Sequence, residues 1–155
     1  MQTTWDGLPI SDERPFGATV VVYRVRDDGF ELLMLHRAHH GPAYTGDWAW
    51  TPPAGARLPG EPVEDCARRE LREETGLALA LEASRCGTDE WWVYFAEASP
   101  EAAVVIDPEH DRFEWLPVEL ARARCTPELA RTPLLAAIAQ IRRRFARVGV
   151  IEDLN

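Results

Sequence analysis

The chain has 155 residues, of which 46% are hydrophobic and 28% are charged, and these fractions are typical of one soluble globular domain with a substantial core. Its 17 basic and 26 acidic residues give a net charge of −9, which argues against general binding to nucleic acid or to anionic membranes. The three cysteines form no zinc-type spacing, and no apolar run approaches transmembrane length, so we expect a reduced, cytoplasmic protein.

The first predicted elements are an arm and a β-hairpin. Residues 1–14 are mostly polar and predict a loose N-terminal arm on a single domain that spans residues 1–155. Residues 18–25 are rich in β-branched side chains, and residues 30–36 follow an Asp-Gly turn signal and return as a second strand. Both runs are apolar at most positions, which favours a sheet that is buried on both faces.

The next segment predicts a loop, a short strand and a helix. Residues 38–47 contain Gly and Pro and are typical of a loop that carries substrate contacts. Residues 48–53 read WAWTPP and predict a short strand that ends at its prolines. A helix is predicted over residues 63–74, because Pro62 suits the start of a helix and Gly76 is a natural C-terminal stop.

The remaining elements complete a layered arrangement. Apolar or aromatic runs predict further strands over residues 77–81, 90–97, 102–106 and 112–116. A short helix is predicted over residues 117–124, and Thr126 and Pro127 are predicted to be the N-cap and the first residue of a helix that continues to about Val148. This order of strands and helices predicts an α/β/α sandwich around a mixed β-sheet.

The predicted helix over residues 63–74 carries an unusual set of glutamates. Glu70, Glu73 and Glu74 stand at positions i, i+3 and i+4, so their carboxylates converge on one side of the helix. Two of them, Glu70 and Glu74, interrupt the apolar stripe near the C-terminal end, where the helix dipole disfavours anions. Because a hard divalent cation would relieve this repulsion, the pattern predicts a site for Mg²⁺ or Mn²⁺.

A longer motif surrounds these glutamates. The pattern G-x5-E-x7-R-E-(apolar)-x-E-E-x-G-(apolar) is complete in this chain, as Gly55, Glu61, Arg69, Glu70, Leu71, Glu73, Glu74, Gly76 and Leu77. It resembles the Nudix box, and the chain is identified as a member of the Nudix hydrolase family over residues 16–147. The resemblance implies the Nudix fold and the hydrolysis of a nucleoside diphosphate that is linked to another group.

The resemblance also implies roles for residues of the box. It implies that Glu70, Glu73, Glu74 and the carbonyl of Gly55 bind Mg²⁺ or Mn²⁺, and that Arg69 holds one of these glutamates in position. The general base is left open, because in the family it is either a glutamate of the box, here best matched by Glu70, or a carboxylate from a later loop. Glu109 is the candidate from that loop.

Two further segments bear on the substrate. Residues 109–116 (EHDRFEWL) and 50–55 (WTPPAG) resemble segments of diadenosine tetraphosphate hydrolases, and the first also resembles some nucleoside triphosphate pyrophosphohydrolases. Phe113 stands where that pattern has Tyr, and Ala54 stands where the animal enzymes have Lys. We expect substrate contacts from Arg37, Arg57, Trp50 and Phe113, with His36 as a further phosphate contact. Two roles stay open for the tryptophans Trp48, Trp50, Trp91 and Trp92: stacking on the nucleobase of the substrate, or packing in the core.

The sequence therefore predicts a Mg²⁺-dependent Nudix pyrophosphohydrolase that acts on a small nucleotide. A dinucleoside polyphosphate or a (deoxy)nucleoside triphosphate is expected ahead of ADP-ribose or a nucleotide sugar. One alternative is a catalytically silent module that senses nucleotides, and another is an isomerase of isoprenoid diphosphates, for which Cys66 is a poor catalytic cysteine. We expect a monomer or homodimer that binds neither nucleic acid nor membranes.

Overall fold

The structure is a computed structural model that describes residues 3–4, 7–27 and 29–153, without the side chains of residues 85–86 and 147–153. The turn residue Asp28 lies outside the described residues. The elements are β1 (Gly17–Arg26), β2 (Gly29–Arg37), β3 (Trp50–Thr51), β4 (Ala54–Ala56), α1 (Val63–Thr75), β5 (Glu82–Gly87), β6 (Trp91–Glu97), β7 (His110–Pro117), α2 (Val118–Arg124) and α3 (Glu128–Asp153).

The seven strands form one mixed sheet, with α1 on one face and α3 on the other. The neighbours β1 and β6 are parallel, and the other strand pairs are antiparallel. This arrangement confirms the predicted α/β/α sandwich. No helix in the described ranges combines the length and the apolar composition that a bilayer crossing needs.

Alternate side chains of the central strands supply two separate cores. Val21 belongs to the core beneath α3, together with Ile141, whereas Val20 belongs to the core beneath α1, together with Leu71. Because successive residues of a strand point to opposite faces, a strand with a helix on each side must be apolar at nearly every position. The continuous apolar runs in the sequence are thus explained by burial of both faces.

One end of the sheet gathers the segments that carry the motif residues. β1 begins at Gly17, and because β2 is antiparallel to β1, the last residue of β2, Arg37, lies at the same end. His110, the first residue of β7, is the partner of Arg37. Gly55 of β4 pairs with Ala18 near the start of β1. The loops around these positions therefore approach one another at this end of the sheet.

Two of the predicted strands are wrong, and the reason is the same for both. Residues 77–81 and 102–106 lie outside every described strand, and β5 begins only at Glu82. Apolar side chains of both segments pack into the core beneath α1, namely those of Leu77, Leu79, Leu81, Ala102, Val104 and Ile106. Their strand-like pattern reflects extended chain that packs on the core without joining the sheet.

Two element boundaries also differ from the prediction. The strand expected over residues 48–53 is reduced to β3, because Trp48 has a left-handed φ of 67° and the two prolines lack an N–H; β4 follows as a separate strand. α3 begins at Glu128, and the carbonyl of Pro127 accepts hydrogen bonds from its first turn. Pro127 therefore precedes the helix, and Thr126 is not its N-cap.

Candidate functional site

The helix α1 delivers three glutamates to the end of the sheet described above. Gly76 ends the helix with a φ of 73°, a conformation that glycine adopts without strain, and its N–H donates to the carbonyl of Arg72 at 2.8 Å. Both predicted ends of this helix are confirmed within one residue. Glu70, Glu73 and Glu74 occupy its last two turns, as the spacing indicated.

Burial divides the three glutamates into two groups. Glu70 is 9% exposed and Glu74 is 3% exposed, whereas the side chain of Glu73 is 56% exposed. An Oε2 atom of Glu74 accepts the backbone N–H of Ala54 at 3.2 Å. The carboxylates of Glu70 and Glu74 are thus buried between α1 and the sheet, whereas that of Glu73 is exposed to solvent.

Gly55 leaves room for one of the buried carboxylates. A Cβ atom on Gly55 would lie 2.0 Å from Cδ of Glu70, so a side chain at this position would force the Glu70 carboxylate to move. The absence of a side chain at Gly55 is therefore what allows β4 and Glu70 to approach so closely. The carbonyl oxygen of Gly55 faces the same helix, 3.7 Å from Sγ of Cys66.

Arg69 connects the glutamates to the loop before the helix. Its guanidinium donates to both carboxylate oxygens of Glu61, at 2.8 and 3.0 Å, and to Glu70 at 2.8 Å. It also donates to Glu73 at 3.3 Å and to the carbonyl of Ala56 at 3.0 Å. Such a planar group with several donors fixes the relative positions of helix and loop.

The surroundings of the two buried carboxyl groups disfavour their ionised forms. Burial raises the pKa of Glu70 to about 7, against the opposing effect of Arg69. Burial also raises the pKa of Glu74 well above its ordinary value, and the charges of Glu70 and Glu109 add to the rise.

The loop before β7 brings further carboxylates towards α1. Asp107, Glu109 and His110 place their ligand atoms within 4.8 Å of one another, and Nδ1 of His110 lies 2.7 Å from Oδ1 of Asp107. The charges of Asp107 and Glu109 both raise the pKa of Glu74, so this loop faces the buried glutamate. Sequence reasoning selected Glu109 but missed Asp107, although a second carboxylate two residues away was a usable signal.

The oxygen-rich donor set fits a hard divalent cation. Buried carboxylates with raised pKa values and a nearby backbone carbonyl are the ligand types that Mg²⁺ and Mn²⁺ prefer. A cation would also offset the burial and the repulsion from Glu70 and Glu109 that together raise the pKa of Glu74. The chemistry of these residues is therefore compatible with a divalent metal ion.

Comparison with known proteins agrees with this geometry. The NUDIX domain family model matches residues 15–136. The chain belongs to the Nudix family. Hydrolases of this family generally use divalent metal ions.

Two curated Nudix relatives are nucleoside triphosphatases named NudI. The protein of Klebsiella pneumoniae is 30% identical over 119 residues, which cover 65% of this chain and 82% of the relative. The protein of Salmonella agona is 38% identical over 63 residues, which cover 41% of this chain and 43% of the relative. The chain thus spans less than half the length of the first curated relatives that it matches.

A solved Nudix structure shares the fold of this chain. The binary complex of the C. elegans Ap4A hydrolase superposes with a TM-score of 0.62 at 23% identity. The superposition covers 79% of this chain and 94% of that chain. At this level of identity the likeness supports the fold.

Two of the residues that were expected to contact the substrate, Arg57 and Trp50, are buried inside this Nudix domain. Arg57 is 8% exposed, and its guanidinium donates to Oγ of Ser11 at 3.0 Å and lies 3.5 Å from Glu13. The N–H of Ser11 in turn donates to the carbonyl of Arg57 at 2.8 Å, so this part of the expected loose arm is attached to the domain. Trp50 is 5% exposed and is enclosed by His36 and two arginines.

His36 is also buried, which argues against its expected phosphate contact. It is fully buried, with Nδ1 at 2.8 Å from Oδ1 of Asp111 and Nε2 at 2.6 Å from the carbonyl of Tyr44. Arg112 donates to the same Asp111 oxygen at 3.0 Å and to the carbonyl of Pro42 at 2.9 Å. These contacts attach the loop over residues 38–47 to β7, so His36 holds that loop in place.

Arg37 and Phe113 remain accessible at the sheet end described above. Arg37 is half-buried, and Phe113 is 36% exposed. Phe113 pairs with Leu35 in the sheet, and Arg37 pairs with His110. The carbonyl of Glu109 accepts the N–H of Ala38 at 3.0 Å, which ties this side of β2 to the acidic loop. Both side chains therefore lie close to the segments that carry the carboxylates.

Proposed function

We propose that this chain is a Mg²⁺- or Mn²⁺-dependent pyrophosphohydrolase whose substrate is a nucleotide. The observation that carries the proposal is the pair of buried carboxylates, Glu70 and Glu74, beside the glycine of β4. Buried carboxylates with raised pKa values destabilise the free protein and are typical of sites that bind charge. The name of the NudI relatives favours a nucleoside triphosphate, ahead of the dinucleoside polyphosphate that the Ap4A hydrolase name suggests.

The metal ligands in this proposal are Glu70, Glu73, Glu74 and the carbonyl of Gly55. A bound Mg²⁺ would neutralise phosphate charge and lower the pKa of a water molecule. Arg69 holds two of these glutamates and the preceding loop in a fixed arrangement, so its role is positioning. Residues 1–155 are proposed to form one cytoplasmic Nudix domain, as a monomer or homodimer.

The proton from the attacking water needs an acceptor on the chain. Glu109 is the proposed acceptor, because it lies on the loop that faces Glu74. Arg37 and Phe113 are proposed as substrate contacts, since both reach the same end of the sheet. Arg57 and Trp50 are proposed to stabilise the fold and not to contact the substrate, because both are buried.

The test is hydrolysis of a nucleotide panel by the purified protein. Nucleoside triphosphates, dinucleoside polyphosphates and ADP-ribose are incubated with Mg²⁺ or Mn²⁺, and the products are identified by chromatography. We expect the variant Glu74→Gln to lose turnover at least about 100-fold, because it removes a charged ligand from the reaction site. Glu64→Gln is the matched control, since Glu64 lies on the same helix, is exposed and pairs with Arg68 at 2.9 Å.

Two outcomes would contradict the proposal. Near-normal magnesium-dependent turnover by Glu74→Gln would show that the buried carboxylate is not needed. Binding of nucleotides without hydrolysis of any member of the panel by the wild-type protein would favour the sensing module.

A further inference from the structure

The exposed side chain of Trp48 is held in a conformation that local energetics disfavour. Its φ of 67° is the only positive φ at a non-glycine position in the described part of the chain. A bulky residue in this conformation is strained, and strain of this kind is concentrated at functional sites. Trp48 is nevertheless 38% exposed, so the strain is not offset by complete burial of the residue.

The backbone on both sides of Trp48 is fixed by hydrogen bonds. The N–H of Trp48 donates to the carbonyl of Thr126 at 2.6 Å. The next residue, Ala49, donates to the carbonyl of Gly46 at 3.1 Å and accepts the N–H of Arg37 at 2.9 Å. These hydrogen bonds hold the left-handed backbone at Trp48, and the backbone fixes the direction in which the side chain leaves the chain.

Arg37 covers the indole of Trp48. The guanidinium carbon lies 5.7 Å from the ring centroid, within the range of a cation–π contact. Its Nε atom is buried and has no hydrogen-bond partner among the described residues. The contact restrains the ring and places a positive charge beside it in a chain with a net charge of −9.

The pair of Trp48 and Arg37 lies at the same end of the sheet as the carboxylates. Arg37 ends β2 opposite His110, the residue after Glu109. Ala38, the residue after Arg37, donates to the carbonyl of Glu109 at 3.0 Å. A ligand whose phosphates bind at the proposed metal site can therefore extend towards the indole.

We propose that the nucleobase of the substrate stacks on Trp48, with Arg37 as the residue that positions the indole. This inference rests on the proposed nucleotide hydrolase function and adds the group that recognises the base. Stacking on an indole tolerates every base, because each base has a π-face. Trp48 therefore selects nucleosides as a class, a role for which the buried Trp50 is unsuitable.

The experiment compares a ligand with a base and a ligand without one. Calorimetry measures equilibrium binding of AMP and of ribose 5-phosphate to the full chain. We expect the wild type to prefer AMP, and Trp48→Ala to bind AMP about 5- to 100-fold more weakly with ribose 5-phosphate binding unchanged. Trp48→Phe keeps most of the preference. Trp92 is 42% exposed and lies on β6, which pairs with the edge of β1 opposite to β4. The control variant Trp92→Ala should therefore keep the full preference for AMP.

A second variant separates base binding from a merely structural role. Glycine adopts a positive φ without strain, so Trp48→Gly is expected to melt at the same temperature as the wild type or higher, and yet to lose the preference for AMP. A glycine variant that keeps the preference overturns the proposal, and so does a wild type that binds both ligands equally.

The binding assay also separates this inference from the proposed function. A wild type that hydrolyses nucleotides but shows no preference for AMP overturns the inference alone. A wild type that binds AMP through Trp48 but hydrolyses no nucleotide overturns the proposed function alone.

Discussion

The helices α1 and α3 cover opposite faces of one sheet, but they do so with different chemistry. The buried face of α3 is apolar, with Leu134, Ala137, Ile138 and Ile141. The buried face of α1 combines Ala67 and Leu71 with Glu70 and Glu74. Burial of apolar surface accounts for the first face without any ligand. The second face is unfavourable in the free protein, and a bound cation would explain it.

This difference indicates where stability and activity are located. A helix that is selected only to cover a sheet has no reason to bury two ionisable groups in its last turns. We infer that α3 mainly stabilises the fold, whereas α1 gives up apolar contact to place carboxylates beside β4. The predictions below test whether these two contributions can be separated.

The largest effect on stability is expected from a cavity beneath α3. Ile141 is fully buried, and Ile141→Ala is expected to lower the free energy of unfolding by about 2–5 kcal/mol, because the lost contacts leave a cavity. Turnover per folded molecule should not change. Urea unfolding and steady-state assays below the transition measure the two quantities.

A matched control for the cavity variant lies on the same helix. Leu129 is 77% exposed, so Leu129→Ala should change stability by less than about 0.5 kcal/mol. If Ile141→Ala lowered turnover in the folded state as strongly as Glu74→Gln, stability and activity would not be separable in the way that we infer.

A smaller effect is expected from pH, and it arises at the buried glutamates of α1. Burial raises the pKa of Glu74 above its ordinary value of 4.5, so the folded state holds the proton more tightly than the unfolded state. The stability that this group contributes is therefore present below the unfolded pKa, and it is lost as pH rises. The same sign applies to Glu70, whose pKa of about 7 extends the window to neutral pH.

The variant Glu74→Gln isolates this effect from all other titrations. Below about pH 4 and in EDTA, wild type and variant should unfold with similar free energies, since Glu74 is then mostly neutral in the unfolded state as well as in the folded state. Towards pH 8 the variant should become more stable than the wild type by about 1 kcal/mol or more. Urea unfolding over this range measures the difference, and a difference that is independent of pH would contradict the assigned burial.

Local signals in the sequence explain why α1 and its carboxylates could be predicted. Pro62 and Gly76 mark the ends of the helix, and its 3.6-residue period places Glu70 and Glu74 on the buried side. These features depend on neighbouring residues only. The apolar strands β1 and β2 were predictable for the same reason.

Long-range contacts explain what could not be predicted. Residues 77–81 have the pattern of a strand, but strand formation requires a partner that the sequence does not identify. The burial of Arg57 depends on Ser11, which is 46 positions away along the chain. Trp48 and Trp50 look equivalent in WAW, yet the left-handed backbone of Trp48 directs one indole outward while the other is buried.

The most direct test of the account is equilibrium binding of Mn²⁺, monitored by electron paramagnetic resonance in the absence of nucleotide. The wild type should bind Mn²⁺, and the double variant Glu70→Gln/Glu74→Gln should bind it at least about 10-fold more weakly. Equal binding by the two proteins would contradict the claim that the buried carboxylates of α1 hold the metal.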